Sequence, residues 1–134
     1  MDYQEIINDI SKLKDNWNGY NAGGFTTLTR LIDFCGDLVK SIKIEKYIIS
    51  PTGRQTIQFD FYIDGKYIEF EIGTLFGQYI IHSLFVPDKR NYGKHSKITL
   101  ECHNKEFAIG LINDILQEVI NYGENQERNW RFKE

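Results

Sequence analysis

"QTIQFDFYIDGKYIEFEIG", residues 55–73, is the stretch that decides the fold. Apolar and polar side chains alternate with a period of two on both sides of Asp64-Gly65, and this dipeptide is typical of a two-residue type I′ turn. The stretch therefore predicts a β-hairpin whose loop is Asp64 and Gly65. Because the loop fixes the register, it also determines which residues lie opposite each other across the two strands.

The predicted hairpin has one apolar face and one acidic, aromatic face. On the face that we expect to be buried, the opposing pairs are Ile57 with Ile72, Phe59 with Phe70, Phe61 with Ile68 and Ile63 with Lys66. On the other face, they are Gln58 with Glu71, Asp60 with Glu69 and Tyr62 with Tyr67. Like charges directly opposite each other destabilise a sheet. The pair of Asp60 and Glu69 therefore invites a compensating cation.

The rest of the chain supplies helices and further strands. Apolar residues recur at helical spacing over residues 2–15, 26–41 and 104–123, with Thr26, Thr27 and Asn104 as candidate N-caps. Residues 78–86 and 97–103 read as strands, and residues 47–50 as a short edge strand ended by Pro51. This order predicts a two-layer α+β fold, α-α-β-β-β-β-α, in which an antiparallel meander of about four strands packs on helices. We expect one domain over residues 1–123 and a polar C-terminal tail over residues 124–134.

Composition narrows the class of protein. The chain has 134 residues, 41% of them hydrophobic, and a formal net charge of -3, which does not suit a general nucleic-acid binder. The sequence has no apolar run long enough to span a membrane, and its N-terminus is acidic where a signal peptide is basic, so we expect a cytoplasmic protein. Two cysteines, Cys35 and Cys102, are expected to be reduced structural thiols.

Several interpretations of the acidic, aromatic side of the hairpin stay open. It could be a solvated surface neutralised by Arg54 or Lys97, or a site for a hard metal ion, although a flat sheet seldom converges enough oxygens. Paired carboxylates also occur in glycosidases, but the sequence indicates no cleft. We favour a docking surface for a basic protein, in which carboxylates steer and aromatic rings anchor the partner. This surface is called the acidic face and comprises Asp60, Tyr62, Tyr67, Glu69 and Glu71.

A second cluster, of opposite sign, follows the third strand. Residues 87–97 carry clustered cations around one aromatic ring, and these suit a phosphate with a stacked base. The alternative function is therefore binding of a nucleotide or another phosphorylated signal, as a sponge or sensor. An exposed loop whose charge keeps the sheet edge soluble explains the same residues. The candidate ligand-binding residues are Lys89, Arg90, Tyr92, Lys94 and Lys97.

The sequence has few residue patterns that are typical of a catalytic site. His82, His95 and His103 are scattered, and the adjacent Cys102 and His103 would point to opposite faces of a strand. No metal-ligand spacing is present. We therefore expect no catalytic residue, no metal and no cofactor, and a binding protein rather than an enzyme.

The segment "DNWNGYNAGG", residues 15–24, separates the first two predicted helices. Trp17 continues the apolar spacing of the first helix, Gly19 can adopt a positive φ at a helix end, and Tyr20 brings a ring with a polar tip. A structural role explains these residues, in which they fill the space where two helices meet. The alternative is a pocket for a small molecule.

Together with Ala22, Pro51, Gly53 and the strand "YIEFEIG", this segment resembles a family of small, largely uncharacterised bacterial proteins. Those proteins have a W-D-G-Y-G-A-like motif after an N-terminal helix and an L-E-I-E-I-like strand. The likeness covers most of residues 5–75, with Asn18 where the motif has Asp and Asn21 where it has Gly. Members look like accessory proteins of bacterial or phage genomes, some of them linked to toxin, antitoxin or anti-phage systems.

The resemblance implies an antitoxin-like or immunity-like inhibitor in a bacterial or phage conflict system. With the acidic face as its docking surface, such a protein would bind another, basic protein and neither a membrane nor nucleic acid in general. Trp130 and Phe132 near the C-terminus could complete the fold of a second copy, which leaves a homodimer open.

Overall fold

The computed structural model describes residue 5 and residues 28–133, and it has two helices and five strands in that part of the chain. In chain order they are α1 (Leu28–Ser41), β1 (Ile48–Pro51), β2 (Ile57–Ile63), β3 (Lys66–Leu75), β4 (Gln78–Val86), β5 (Ser96–Cys102) and α2 (Lys105–Lys133). The predicted α+β fold is confirmed. The sheet has five strands rather than four because the short segment before the hairpin pairs with β2 through all four of its residues.

The five strands form one antiparallel meander in the order β1-β2-β3-β4-β5. The register of the central hairpin is the predicted one, with Phe59 opposite Phe70 and Asp60 opposite Glu69. Asp64 and Gly65 both have positive φ, 48° and 78°, as a type I′ turn requires. The Asp64-Gly65 turn fixes the register, and the alternation of side chains places Asp60 and Glu69 on the same face. Their carboxylates therefore lie beside each other.

Helices α1 and α2 cover the apolar face of the sheet. Burying each large apolar side chain of this core stabilises the fold by about 1.5–3 kcal/mol. The fully buried members include Phe34, Leu38, Phe59, Phe61, Ile68, Phe70, Ile72, Ile81 and Ile112. The other side of the sheet, which we call the outer face, carries the polar side chains of the hairpin.

Lys66 is the polar exception on the buried side of the hairpin. Its side chain is buried opposite Ile63, and its Nζ donates to the carbonyl oxygen of Ile120 at 3.4 Å. A buried ammonium needs such a partner because an unpaired charge away from water is costly.

The last helix begins as predicted and ends later than predicted. The side-chain oxygen of Asn104 accepts a hydrogen bond from the backbone N–H of Phe107 at 2.8 Å, which is the geometry of an N-cap. The predicted end at Gly123 is wrong, since α2 continues to Lys133. One glycine costs a helix only about 1 kcal/mol, and the Glu, Gln, Arg and Lys residues that follow are good helix formers.

Some predictions lie outside the described residues. These are the helix over residues 2–15, the caps Thr26 and Thr27, and the motif residues Trp17, Gly19 and Tyr20. Within the described residues, neither helix combines the length and apolar character that a membrane span needs.

Candidate functional site

The centre of the acidic face is a pair of carboxylates held by two shared neutral donors. Gln58 Nε2 donates to Asp60 Oδ1 and to Glu69 Oε2, both at 2.9 Å. The hydroxyl of Tyr67 lies 2.9 Å from the same Asp60 oxygen and 2.5 Å from the same Glu69 oxygen. Over the side chains that the structure describes, neither carboxylate has an ion-pair partner. Two carboxylates therefore converge on the same neutral donors without an ion pair.

Tyr67 remains a hydrogen-bond donor in this arrangement. Burial, followed by the hydrogen bonds to Glu69 and Asp60, raises the pKa of Tyr67 far above its ordinary value. The phenol therefore stays protonated over the whole physiological range. Because it has a single proton, it can donate to only one of the two carboxylates at a time.

Glu71 is in a different state, because a cation already neutralises it. Arg54 binds it through two parallel hydrogen bonds, Nε to Oε1 at 2.8 Å and an Nη to Oε2 at 2.9 Å. Thr56 donates a third hydrogen bond at 2.8 Å. The hydrogen bonds from Arg54, and then that from Thr56, hold the pKa of Glu71 below its usual range. Arg54 therefore forms its ion pair with Glu71, and its influence on Glu69 is electrostatic only, without a direct contact.

The aromatic part of the site is a cluster of three tyrosine side chains. Tyr67 packs against the rings of Tyr62 and Tyr92, at centroid distances of 5.0 Å and 5.7 Å. Tyr67 itself is only 7% exposed, because the other two tyrosines pack against it. The exposed rings are Tyr62, at 55%, and Tyr92, at 49%.

Tyr92 comes from the loop between β4 and β5, which the sequence assigned to a separate site. The loop is tied to the hairpin turn, since the backbone N–H of Lys89 donates to the carbonyl oxygen of Gly65 at 2.8 Å. This contact brings the two predicted clusters together on the outer face. Side-chain periodicity contains no signal for it, because it depends on the path of an irregular loop.

A groove of about 470 Å³ borders the acidic pair on the β1 side. Ile48, half exposed on β1, lies opposite Asp60 in the sheet, and the exposed ring of Tyr62 also lines the groove. The other lining residues are Glu45, Lys46 and Tyr47, none of which the sequence singled out. The groove combines an apolar surface with two carboxylates, Asp60 and Glu45, and one cation, Lys46, and this net negative lining suits a long side chain that ends in a positive charge.

The candidate phosphate-binding residues are less organised. The guanidinium of Arg90 binds both carboxylate oxygens of Asp88 at 3.0 Å, and this pairing lowers the pKa of Asp88 to about 2. Tyr92 packs on Tyr67, and Lys97 lies within β5, opposite Leu84, rather than in the loop. An anion would therefore have to compete with Asp88 for Arg90. Binding of a phosphorylated ligand stays a prediction.

The three histidines lie in separate environments. His82 pairs with the hydroxyl of Thr99 at 3.0 Å, His103 with the Gln78 amide at 3.0 Å, and His95 with a loop carbonyl. Within the described part of the chain, no group of three or more His, Cys, Asp or Glu side chains is arranged to hold a metal. Cys35 and Cys102 are buried free thiols, and burial raises the pKa of Cys35 well above its usual value.

Comparison of the chain with protein-family models, with curated proteins and with solved structures finds no match. The fold and the site define an α+β domain with a five-stranded meander and an acidic, tyrosine-rimmed outer face.

Proposed function

We propose that this protein is a non-catalytic binding protein whose acidic face docks a basic protein partner. The observation that carries the proposal is the pair of Asp60 and Glu69, which share neutral donors and have no cation partner among the described side chains. A Lys or Arg side chain of a partner would supply the missing positive charge. Charge-assisted hydrogen bonds of this kind are about twice as strong as neutral ones.

The surroundings of the pair support a protein partner rather than a free ion. Tyr62 and Tyr92 are exposed beside the carboxylates, and tyrosine is enriched among the residues that dominate binding energy at interfaces. Their rings can also attract a cation through its interaction with the aromatic face. The groove lined by Ile48 gives the apolar stem of a Lys or Arg side chain a surface to cover.

The resemblance described above suggests the biological class of the partner. An antitoxin-like or immunity-like inhibitor must recognise one basic protein tightly, and opposite surface charge speeds the association of such pairs. The net charge of -3 acts in the same direction at long range. We therefore infer an inhibitor of a basic protein in a bacterial or phage conflict system.

The test is native mass spectrometry of the protein purified gently from its own host, as the wild type and as the double variant Asp60→Asn with Glu69→Gln. A matched control, Asp114→Asn with Glu118→Gln, removes the same charge from two exposed positions on α2. We expect a basic polypeptide to accompany the wild type and the control, and to be lost from the acidic-face variant. Retention of the polypeptide by that variant, or its loss from both, would contradict the proposal.

A further inference from the structure

Strand β5 leaves a long sheet edge unpaired within the described residues. It has seven residues, Ser96–Cys102, and it is the last strand of the sheet, paired with β4 alone. An open edge of this kind is a template for another strand. The opposite edge, β1, has only four residues and ends in Pro51, which has no N–H to donate. Of the two edges, β5 is therefore the one suited to accept a strand.

The sequence of β5 is complementary to itself in the antiparallel direction. We propose that β5 pairs with β5 of a second copy of this chain about a two-fold axis at Thr99. In this register Lys97 lies opposite Glu101 of the second copy, and Ile98 lies opposite its Leu100. The symmetry repeats each pair, which gives two ion pairs and two apolar pairs at one seam.

The exposure of these side chains and their lack of ion-pair partners fit such a pairing of strands. Lys97 and Glu101 are exposed, and neither has an ion-pair partner among the described residues. Both lie on the outer face, since they pair with Leu84 and Ile80 of β4. Ile98 lies on the helix side of the sheet, opposite Ser83, and is still 49% exposed. Pairing would thus give both charges a partner and would cover the side chain of Ile98. Main-chain hydrogen bonds between the two β5 strands would add to the stability of the dimer.

The charges also select the register. A parallel, in-register pairing would place Lys97 against Lys97 and Glu101 against Glu101. An antiparallel pairing shifted by two residues would place Lys97 against Thr99 or beyond the end of the strand. The register centred on Thr99 satisfies both the charged and the apolar pairs, with the helices of both copies on the same side of the joined sheet. Charged edge residues thereby disfavour other associations.

The experiment is sedimentation equilibrium over a range of concentrations, with circular dichroism to verify folding. We expect the wild type to approach twice the chain mass of 15.8 kDa. Lys97→Glu and Glu101→Lys each turn both ion pairs into repulsions, so each variant alone should have a dimer dissociation constant raised by about tenfold or more. Lys94→Glu, the same charge change in the β4–β5 loop, is the control and should dimerise like the wild type.

The decisive sample is an equimolar mixture of Lys97→Glu and Glu101→Lys. One variant then presents two Glu residues and the other two Lys residues, so the mixture should form a heterodimer with an affinity near that of the wild type. A wild type that stays monomeric, a dimer indifferent to Lys97→Glu, or a mixture of folded variants that does not associate would each overturn the inference. The oligomeric state of the wild type and of Glu101→Lys is measured without any change beside the Asp60–Glu69 pair, so failure of this inference is distinguishable from failure of the proposed function.

Discussion

Asp60 and Glu69 lie directly opposite each other in the sheet, an arrangement that costs local stability. Both carboxylates accept hydrogen bonds from Gln58 and Tyr67, but these neutral donors leave the charge of the pair in place. Like charges opposite each other on a sheet destabilise it by about 0.2–1 kcal/mol. If the pair forms the proposed docking site, selection for binding rather than for stability would account for it.

Asp60→Asn should therefore increase the free energy of unfolding of the free protein by a few tenths to about 1 kcal/mol. The amide oxygen still accepts from Gln58 and Tyr67, while the repulsion from Glu69 disappears. Urea denaturation at neutral pH measures the change. Asp114→Asn, at an exposed position on α2, serves as the control and should have little effect. A less stable Asp60→Asn protein would show that the negative charge contributes to the fold.

Glu71 makes the stability of the protein depend on pH. Its hydrogen bonds from Arg54 and Thr56 hold the pKa of Glu71 below the ordinary value of 4.5. A carboxyl whose pKa is lower in the folded state contributes stability above its unfolded pKa and loses it as the pH falls through the folded pKa. The contribution is therefore present at neutral pH and lost in acid.

Arg54→Gln should reduce this acid-sensitive part of the stability. We expect a lower urea midpoint than the wild type at neutral pH, and a smaller difference between the two proteins in acid, as the pH falls below the ordinary pKa of 4.5 and Glu71 takes up a proton. Arg90→Gln, which breaks the more exposed pair with Asp88, is the comparison and should change the midpoint less. An Arg54→Gln protein with the pH profile of the wild type would rule out a contribution from the Glu71 pair.

At the scale of elements, the start of α2 depends on one side chain. Asn104 caps the helix, and the next residue, Lys105, bridges to Asp33 and Asp37 of α1 at 3.1 Å and 2.6 Å. The first turn of α2 thus holds the two helices together over the core.

Asn104→Ala should lower the free energy of unfolding by about 1 kcal/mol, because an N–H at the start of the helix loses its acceptor. Asn104→Asp keeps an acceptor oxygen at the same place and should remain close to the wild type. Thermal unfolding followed by circular dichroism distinguishes them. Equal losses in the two variants would mean that the amide group makes a contribution other than capping.

The predictable elements were those specified by local chemistry. The hairpin register follows from alternation and from Asp64-Gly65, and the start of α2 follows from Asn104. The end of α2 was missed because a single glycine, Gly123, is a weak helix stop. The packing of Tyr92 on Tyr67 was missed because the two residues are 25 positions apart and joined by a loop whose path no periodicity records.

At the scale of the whole molecule, the helical layer and the outer face of the sheet differ in chemical character. The helices cover the apolar side of the sheet, and the outer face carries the exposed tyrosines and the two carboxylates that have no ion-pair partner among the described side chains. A charged face on a protein of net charge -3 should steer a basic partner before contact is made. The steering charge can reside in the acidic face or in the net charge of the whole molecule. Removing the same number of charges from two different surfaces distinguishes these alternatives.

The association rate constant of the basic partner should fall as salt is added, because ions screen the attraction over a Debye length of about 10 Å at 0.1 M. In Asp60→Asn with Glu69→Gln, the salt dependence should be shallower and the rate at low salt lower. The α2 variant, Asp114→Asn with Glu118→Gln, has the same net charge and should keep the slope of the wild type. Stopped-flow association over a salt series measures all three proteins. Equal flattening in both variants would mean that the whole charge of the molecule, and not the acidic face, guides the partner.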